Sequence, residues 1–181
     1  TKFGNPESAE AFKSMGMESV MVNILSRDVT ANQELLQSML ADTDILVDAS
    51  NRHDPSRYII TNGLLGTMKQ HAVILDLSAD PYMTDTSPMQ VKAVEGIPTG
   101  TLDQYVFYPE DPIYDAIPTS VSTANRRTVV SCNAWPGINP ENCIHIYGVQ
   151  MMPVLKRLIT EEPRNFAGNS DDFFLRAIYR S

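Results

Sequence analysis

Four short apolar runs constrain the fold of this chain more than any other sequence feature. Each is rich in Val, Ile or Leu and too short to make a stable helix, so each predicts a β-strand. The runs are SVMVNIL at residues 19–25, DILVD at 44–48, HAVILDL at 71–77 and TVVSC at 128–132. Segments with apolar residues at helical spacing lie around them, at residues 6–15, 30–40, 59–70 and 140–159. Thr30 or Asn32 is a plausible N-cap of the second segment.

Strands that alternate with helices, and that are apolar on both faces, indicate a parallel sheet covered by helices on both faces. The sequence therefore predicts an α/β protein with a doubly wound, Rossmann-like parallel sheet. A long C-terminal helix is expected at residues 140–159, and Pro153 should bend or divide it. The first strand is truncated, because very few residues precede the turn at Gly4. The proline-rich residues 81–125 predict long loops with one short strand at 93–97.

Composition restricts the classes of function. The 181 residues are enough for one domain of ordinary size, and the net charge of -8 argues against nucleic acid or an anionic membrane as the main partner. No apolar run is long enough to span a bilayer. Cys132 and Cys143 lack metal-ligand spacing, so we expect no metal and a reducing, cytoplasmic setting. Because the first residue is Thr rather than Met, further sequence is expected upstream.

The residues after each predicted strand form the candidate site, because an open α/β sheet binds its ligand outside the carboxyl ends of the strands. Gly4 and Asn5 follow the remnant of a first strand and open a helix that includes Ser8. The backbone N–H groups of such a turn are candidates for contact with a cofactor phosphate. A dinucleotide-binding fingerprint has three glycines, and only Gly4 is present here. An ordinary helix start is therefore an equal alternative.

Ser26 and Arg27 follow the second predicted strand and bear on the choice of cofactor. An Arg beside a small hydroxyl residue suits the 2′-phosphate of NADP, whereas an acidic residue such as Asp28 suits the ribose 2′-hydroxyl of NAD. The predicted cofactor is thus NAD or NADP, with NADP slightly favoured. A solvated pair of surface residues is the alternative.

The ends of the remaining strands supply the rest of the candidate site. Ala49, Ser50 and Asn51 follow the third strand, where small side chains let a cofactor lie across the strand end. Asp80 follows the fourth strand and is expected to point into the cleft, although an Asp that begins a turn before proline is common. Asn133 follows the last strand and offers an amide donor and an acceptor to a nicotinamide carboxamide.

The chain resembles the nucleotide-binding half of the alanine dehydrogenase and pyridine nucleotide transhydrogenase family over residues 3–158. Lysine-forming saccharopine dehydrogenase and carboxyethyl-ornithine synthase share that fold. Four segments carry the resemblance: FGN, DILVDAS, HAVILDLSADPY and VVSCNAWPGINPENCIHIYGVQMMPVLKRL. The last is the most specific, because Asn133, Pro136, Gly137 and Pro140 match the family's turn from a strand into a long helix.

The chain also departs from the family pattern. Pro6 and Glu7 stand where the family has glycines in its phosphate-binding loop. Pro81 and Tyr82 replace the Gly-Gly pair that follows the family's acidic residue. These departures favour the alternative of a degenerate Rossmann-like scaffold or ligand-sensing domain without catalysis.

The resemblance implies hydride transfer between a nicotinamide and the carbon of an amino acid or imino acid, with Asp80 as the acidic residue of the cleft. It implies a dinucleotide-binding domain at residues 1–138 and a helical segment at 139–181 that returns to a catalytic domain. That domain, which carries the family's substrate-binding Lys and His, is absent from this sequence. The expected partners are an amino-acid or keto-acid substrate and either a second copy of the chain or the missing catalytic domain.

Overall fold

The computed structural model describes residues 21–180 of the chain. The helix predicted at residues 6–15 lies outside the described residues, as do the candidate phosphate-binding residues Gly4, Asn5 and Ser8. The fold below is therefore that of residues 21–180, a mixed α/β structure.

Four strands form one open sheet in the order β1-β2-β4-β3. They are β1 (Ile45–Asp48), β2 (Val73–Asp76), β3 (Val106–Phe107) and β4 (Thr128–Ser131). β1, β2 and β4 are parallel, but β3 pairs antiparallel with β4, so the expectation of a wholly parallel sheet is not met. The cause is a turn in which Thr101 N–H donates to the carbonyl of Gln104 at 2.9 Å, which sends β3 back along β4.

Three of the predicted strands are confirmed with slightly shorter bounds, as β1, β2 and β4. The strand predicted at residues 19–25 is wrong where it can be compared, because Met21 to Leu25 form no strand. The strand predicted at 93–97 is reduced to a single parallel bridge between Val94 and Ile60. β1 is also less buried than expected: it is an edge strand of the described sheet, and Ile45 is 64% exposed.

Five α-helices accompany the described sheet: α1 (Arg27–Ala31), α2 (Gln33–Ala41), α3 (Asn62–Leu65), α4 (Pro140–Thr160) and α5 (Phe173–Arg180). The helix predicted at residues 30–40 is interrupted at Asn32, whose side chain accepts a hydrogen bond from Leu35 N–H and so begins α2. The helix predicted at 59–70 is a single turn, α3, and ends at Gly66. Short 3₁₀ turns occupy Pro112–Ala116, Trp135–Gly137 and Pro163–Asn165.

The long C-terminal helix is confirmed, and α4 runs for 21 residues. Of the two expected effects of Pro153, division of the helix is wrong, since α4 continues through that position. A proline there removes one backbone hydrogen bond, but the turns on either side keep theirs. None of the residues of α4 is buried. No helix among residues 21–180 has the length and apolar character needed to cross a membrane.

The core lies between the sheet and its helices. Its buried apolar residues come mainly from α2, β2, β4 and the segments after α3, and include Leu36, Leu40, Met68, Ile74 and Val129. Arg127 is also buried, and its guanidinium donates to the carbonyls of Leu65, Met68 and Lys69 at 2.6–3.0 Å. The carbonyls of Leu65 and Lys69 also accept from the N–H groups of Met68 and Ala72, so the guanidinium is an additional donor that fixes the start of β4 against the segment after α3.

Candidate functional site

The carboxyl ends of the three parallel strands meet in register at one edge of the sheet. Asp48, the last residue of β1, pairs with Asp76 of β2, and Asp76 pairs with Ser131 of β4. All three residues are buried. Polar side chains at consecutive buried strand ends require partners, because burial without hydrogen bonds costs free energy.

Lys92 supplies the main partner of Asp76. Its ammonium lies 2.8 Å from Asp76 Oδ2, and both side chains are 1% exposed. Burial opposes the charged form of Asp76, but the Lys92 charge and the donors of Ala79 and Ser131 outweigh burial, so the pKa of Asp76 lies below its ordinary value. Burial likewise lowers the pKa of Lys92, and attraction to Asp76 only partly offsets this. The pair is a buried ion pair beneath the strand ends.

Hydrogen bonds extend from this pair along the edge of the sheet. Ser131 Oγ donates to Asp76 Oδ2 at 2.8 Å. Ser78 Oγ lies 3.0 Å from Asp76 Oδ1 and 3.2 Å from Asp48 Oδ2, so one hydroxyl joins the ends of β1 and β2. Asp48 Oδ1 accepts from the backbone N–H of Ser50 at 3.0 Å. The network therefore fixes the first residues of the loops that leave β1 and β2.

The backbone turns sharply at Ala79, just before Asp80. Ala79 has φ of 49°, a left-handed conformation that costs a non-glycine residue about 1–3 kcal/mol. Its N–H donates to Asp76 Oδ1 at 2.8 Å, which holds the turn in place. Strained backbone of this kind clusters at functional sites, and here it directs Asp80 away from the strand and toward the loop after β1.

Arg52, in the loop after β1, forms an ion pair with Asp80, which follows β2. Its Nη2 lies 2.7 Å from Asp80 Oδ2, and the side chains are 7% and 31% exposed. The same guanidinium donates to the backbone carbonyls of Pro55, Arg57 and Val91. Arg52 thus ties together the loops after β1 and β2 and the segment before Lys92.

A cleft of about 300 Å³ opens beside this ion pair. It is lined by Ser50, Asn51, Arg52, Pro55, Ser78 and Asp80. Ser50 Oγ is buried there and has no hydrogen-bond partner among residues 21–180. A buried hydroxyl without a partner is uncommon and calls for an explanation, such as a ligand that completes it.

The structure brings some of the predicted site residues together and separates others. Ser50, Asn51 and Asp80 line the cleft, and Ala49 is exposed beside them at the end of β1. Asn133 is exposed at the end of β4, but it is not among the residues that line the cleft. Its backbone N–H donates to the carbonyl of Gly100 at 3.0 Å, which fixes its position.

Ser26 and Arg27 also lie apart from the cleft lining. Ser26 precedes α1, and Arg27 is the first residue of that helix. Both are exposed. The sequence interpretation placed them after a strand, and the described residues before them form none.

Sequence reasoning gave no role to three residues that build the site, Arg52, Ser78 and Lys92. Arg52 and Ser78 follow strands, so their positions pointed to the cleft, but their partners did not follow from position alone. Lys92 lies in the irregular, proline-rich segment at residues 81–125, where a lysine side chain is ordinarily exposed to solvent. Trp135 lies after β4, and its Nε1–H donates to the carbonyl of Asp76 at 3.1 Å, which ties the turn before α4 to the end of β2.

The carboxylates of the site lie close to two cationic side chains. Among residues 21–180, no three His, Cys, Asp or Glu side chains are grouped to hold a metal. Asp80 and Asp76 form ion pairs with Arg52 and Lys92, and Asp48 also interacts with the charge of Lys92. Such a balance suits ligand groups that donate hydrogen bonds, and it disfavours a phosphate at this edge.

A comparison with models of known protein families gives no match to this chain, and no curated protein matches it significantly. The resemblance to the alanine dehydrogenase family thus stays a prediction carried by the residues themselves.

Proposed function

We propose that this chain is the NAD(P)-binding part of an oxidoreductase that transfers hydride between a nicotinamide and the carbon of an amino acid or imino acid. The observation that carries the proposal is the cleft at the carboxyl ends of β1 and β2, where Ser50 Oγ lacks a partner among the described residues and Asp80 stands opposite. Ligands of open α/β sheets bind at this edge. The cofactor supplies the hydride chemistry, and the chain binds and orients the reactants.

The strand order supports a Rossmann-like arrangement. β1, β2 and β4 are adjacent, parallel and in chain order, as are the strands in one half of a doubly wound sheet. The first strand expected before Gly4 lies outside the described residues. The proposed pyrophosphate-binding residues are Gly4, Asn5 and Ser8, which lie outside the described residues.

The proposed roles follow from the position of each residue. Ser50, with Ala49 and Asn51 beside it, contacts the nicotinamide end of the cofactor. Asn133 offers its amide to the carboxamide of the ring, since it is exposed at the neighbouring strand end. Asp80 faces the substrate, where it orients an amine or takes part in proton transfer.

The exposed position of Arg27 supports NADP as the cofactor. Arg27 and Ser26 are both exposed at the start of α1, so the guanidinium is open to the 2′-phosphate of NADP. Substitution of Arg27 removes a charge-assisted contact worth about 1.5–3 kcal/mol. The Arg27→Ala variant should therefore lose its preference for NADPH over NADH.

The surface of α4 supports a partner for this chain. The helix exposes a series of large apolar side chains, among them Ile144, Val149, Met152, Leu155 and Ile159. Exposed apolar side chains in this number support an interaction site. We propose that it pairs with a catalytic domain or with a second copy of the chain. Cys132 and Cys143 are both free, which suits a reducing cytoplasm.

The size of the cleft supports a second candidate function, a ligand-sensing domain without catalysis. At about 300 Å³ the cleft suits a small molecule rather than a whole dinucleotide. Asn133, Ser26 and Arg27 also lie outside its lining. A small amine-containing ligand in the cleft would supply hydrogen-bond partners to Ser50 and Asp80 without any cofactor.

Titration of the chain with NADH and with NADPH, followed by nicotinamide fluorescence, tests the proposal. We expect saturable binding of at least one dinucleotide, with NADPH preferred in the wild type and the preference lost in Arg27→Ala. Exposed Arg57 provides the control, since Arg57→Ala removes a similar charge whose only ion-pair partner in the described structure is the exposed Asp54. Absence of binding by both dinucleotides would refute the proposal and leave the ligand-sensing candidate.

A further inference from the structure

Arg52 is bound in a way that separates it from an ordinary anion-binding arginine. Its Nη1 donates to the carbonyls of Pro55 and Arg57, and its Nη2 contacts Asp80 Oδ2 and the carbonyl of Val91. Each terminal nitrogen carries two N–H groups, so all four have acceptors. The guanidinium therefore has no terminal N–H group left for the carboxylate or phosphate of a ligand.

The four contacts also differ in what they fix. Three acceptors are backbone carbonyls in two separate segments, and these hold the guanidinium plane whether or not Asp80 is present. Arg52 is nearly buried at 7% exposure, whereas Asp80 keeps 31%. Arg52 is thus the fixed partner, and the Asp80 carboxylate is the group whose orientation the pair determines.

Asp80 has one oxygen engaged and one left open. Oδ2 contacts Arg52 at 2.7 Å. Oδ1 accepts no hydrogen bond from any of residues 21–180. Asp80 lines the cleft beside Ser50. A carboxylate held at one oxygen presents the other in a defined direction.

We infer that Arg52 is a positioning residue, which holds Oδ2 of Asp80 so that Oδ1 is presented to the substrate in the cleft. This inference rests on the proposed function, in which Asp80 faces an amino-acid or imino-acid substrate. Alignment of a reacting group matters because a misplacement of about 1 Å can cost about 100-fold in rate. Arg52 acts through Asp80 and does not itself touch the substrate.

The test is a double-mutant cycle on turnover by the full-length protein, with Arg52→Gln, Asp80→Asn and the double variant. We expect Arg52→Gln to lower kcat by about 10–100-fold with a much smaller change in the affinity for NADPH. In the Asp80→Asn background the same substitution should cost little more, because the group it orients is already lost. Equal losses in both backgrounds would mean that Arg52 only braces the loops, and would overturn the inference.

Two further variants guard against a trivial loss of folding. Arg52→Lys keeps the charge but cannot reach all four acceptors, so it should fall between wild type and Arg52→Gln. Arg57→Gln, at an arginine whose side chain is 84% exposed, should leave kcat unchanged. An Arg52→Lys variant as impaired as Arg52→Gln, with a native melting temperature, would also contradict a role that depends on contact with Asp80.

A spectroscopic measurement separates this inference from the proposed function. The ¹³C resonance of the Asp80 side-chain carboxyl reports its contact with Arg52 without any cofactor or substrate. We expect Arg52→Gln to shift that resonance and Arg57→Gln to leave it in place. If the wild type turns over no substrate and binds no dinucleotide, the proposed function fails. Independently of that result, an Asp80 resonance that Arg52→Gln leaves unshifted would refute the orientation of Asp80 by Arg52.

Discussion

Substitution of Lys92 by Met tests whether the buried ion pair supports the carboxyl edge of the sheet. At 2.8 Å, with an effective dielectric constant of about 20, the attraction between Lys92 and Asp76 is about 6 kcal/mol. Removal of the lysine also removes the cost of burying its own charge, so the net loss is smaller. Breaking a buried pair at one partner costs about 3–5 kcal/mol, and this is the loss in free energy of unfolding that we expect at pH 7.

The dependence of this loss on pH follows from Asp76. In the wild type the pKa of Asp76 is lowered, so its contribution to stability is present above its unfolded pKa of about 3.9 and is lost as the pH falls through the folded pKa. In Lys92→Met, burial is no longer offset by the lysine, and the folded pKa of Asp76 rises. Protonation then relieves the buried charge, so the difference between variant and wild type should narrow as the pH falls from 7 toward about 4.

Urea denaturation at several pH values, with two control variants, decides the outcome. Lys69→Met breaks a pair with Asp44 of similar length, 2.7 Å, but both partners are exposed, so it should change stability far less. The double variant Lys92→Met with Asp76→Asn removes both charges and should regain much of the loss. A loss below about 1 kcal/mol for Lys92→Met at pH 7, or a double variant as unstable as the two single losses added, would refute the reasoning.

Three further predictions concern the site and its surroundings. Asp80→Asn should lower turnover of the full-length enzyme by about 10²–10⁴-fold with cofactor binding nearly unchanged, whereas Asn133→Ala should weaken cofactor binding first. Steady-state kinetics and cofactor titration of both variants test this, and an Asp80→Asn variant with a lower melting temperature but intact turnover would contradict it. Gly100→Ala should lower the free energy of unfolding by about 1–3 kcal/mol in urea denaturation, because its Cβ would lie 2.6 Å from the carbonyl oxygen of Ser131 and against that of Gln104. Gly148→Ala on α4 is the control: a Cβ there has nothing within 4 Å, so the substitution should cost no stability. Light scattering at micromolar concentration should give a dimer or larger species if α4 pairs with a second copy, and a monomer that also binds no catalytic domain would argue against a partner for this helix.

The strands could be predicted from the sequence because each is a short run of branched apolar residues. Ile74 and Val129, at the centres of β2 and β4, are fully buried, as such runs require. β3 could not be predicted, since two residues carry no pattern and its pairing depends on a turn elsewhere in the loop. Asn32 was one of the two plausible N-caps and does begin α2, whereas the separate helix α1 before it was not predicted.

The candidate site was predictable only in part, for a different physical reason. The position of Asp80 and Ser50 after apolar strands was sufficient to place them at the carboxyl edge, since parallel strands end together. Their partners are fixed by contacts between distant segments: Arg52 and Asp80 are 28 residues apart, and Lys92 is 16 residues from Asp76. No local pattern encodes such pairs. The left-handed backbone of Ala79 could not be predicted from the sequence either, because alanine has no preference for positive φ.

We propose that the cleft beside Ser50 receives the nicotinamide end of a dinucleotide, and the matched substitutions Ser50→Ala and Ser78→Ala test this most directly. Ser50 Oγ lacks a partner among the described residues, so its removal should raise the free energy of unfolding by about 1 kcal/mol while it weakens NADPH binding about 2–10-fold. Ser78 Oγ is engaged with Asp48 and Asp76, so Ser78→Ala should instead lose about 1–3 kcal/mol of stability. Thermal melts and NADPH titrations of both variants measure the two quantities together. A Ser50→Ala variant that is more stable and binds NADPH more weakly is the predicted result, and one that binds NADPH with unchanged affinity would contradict the account.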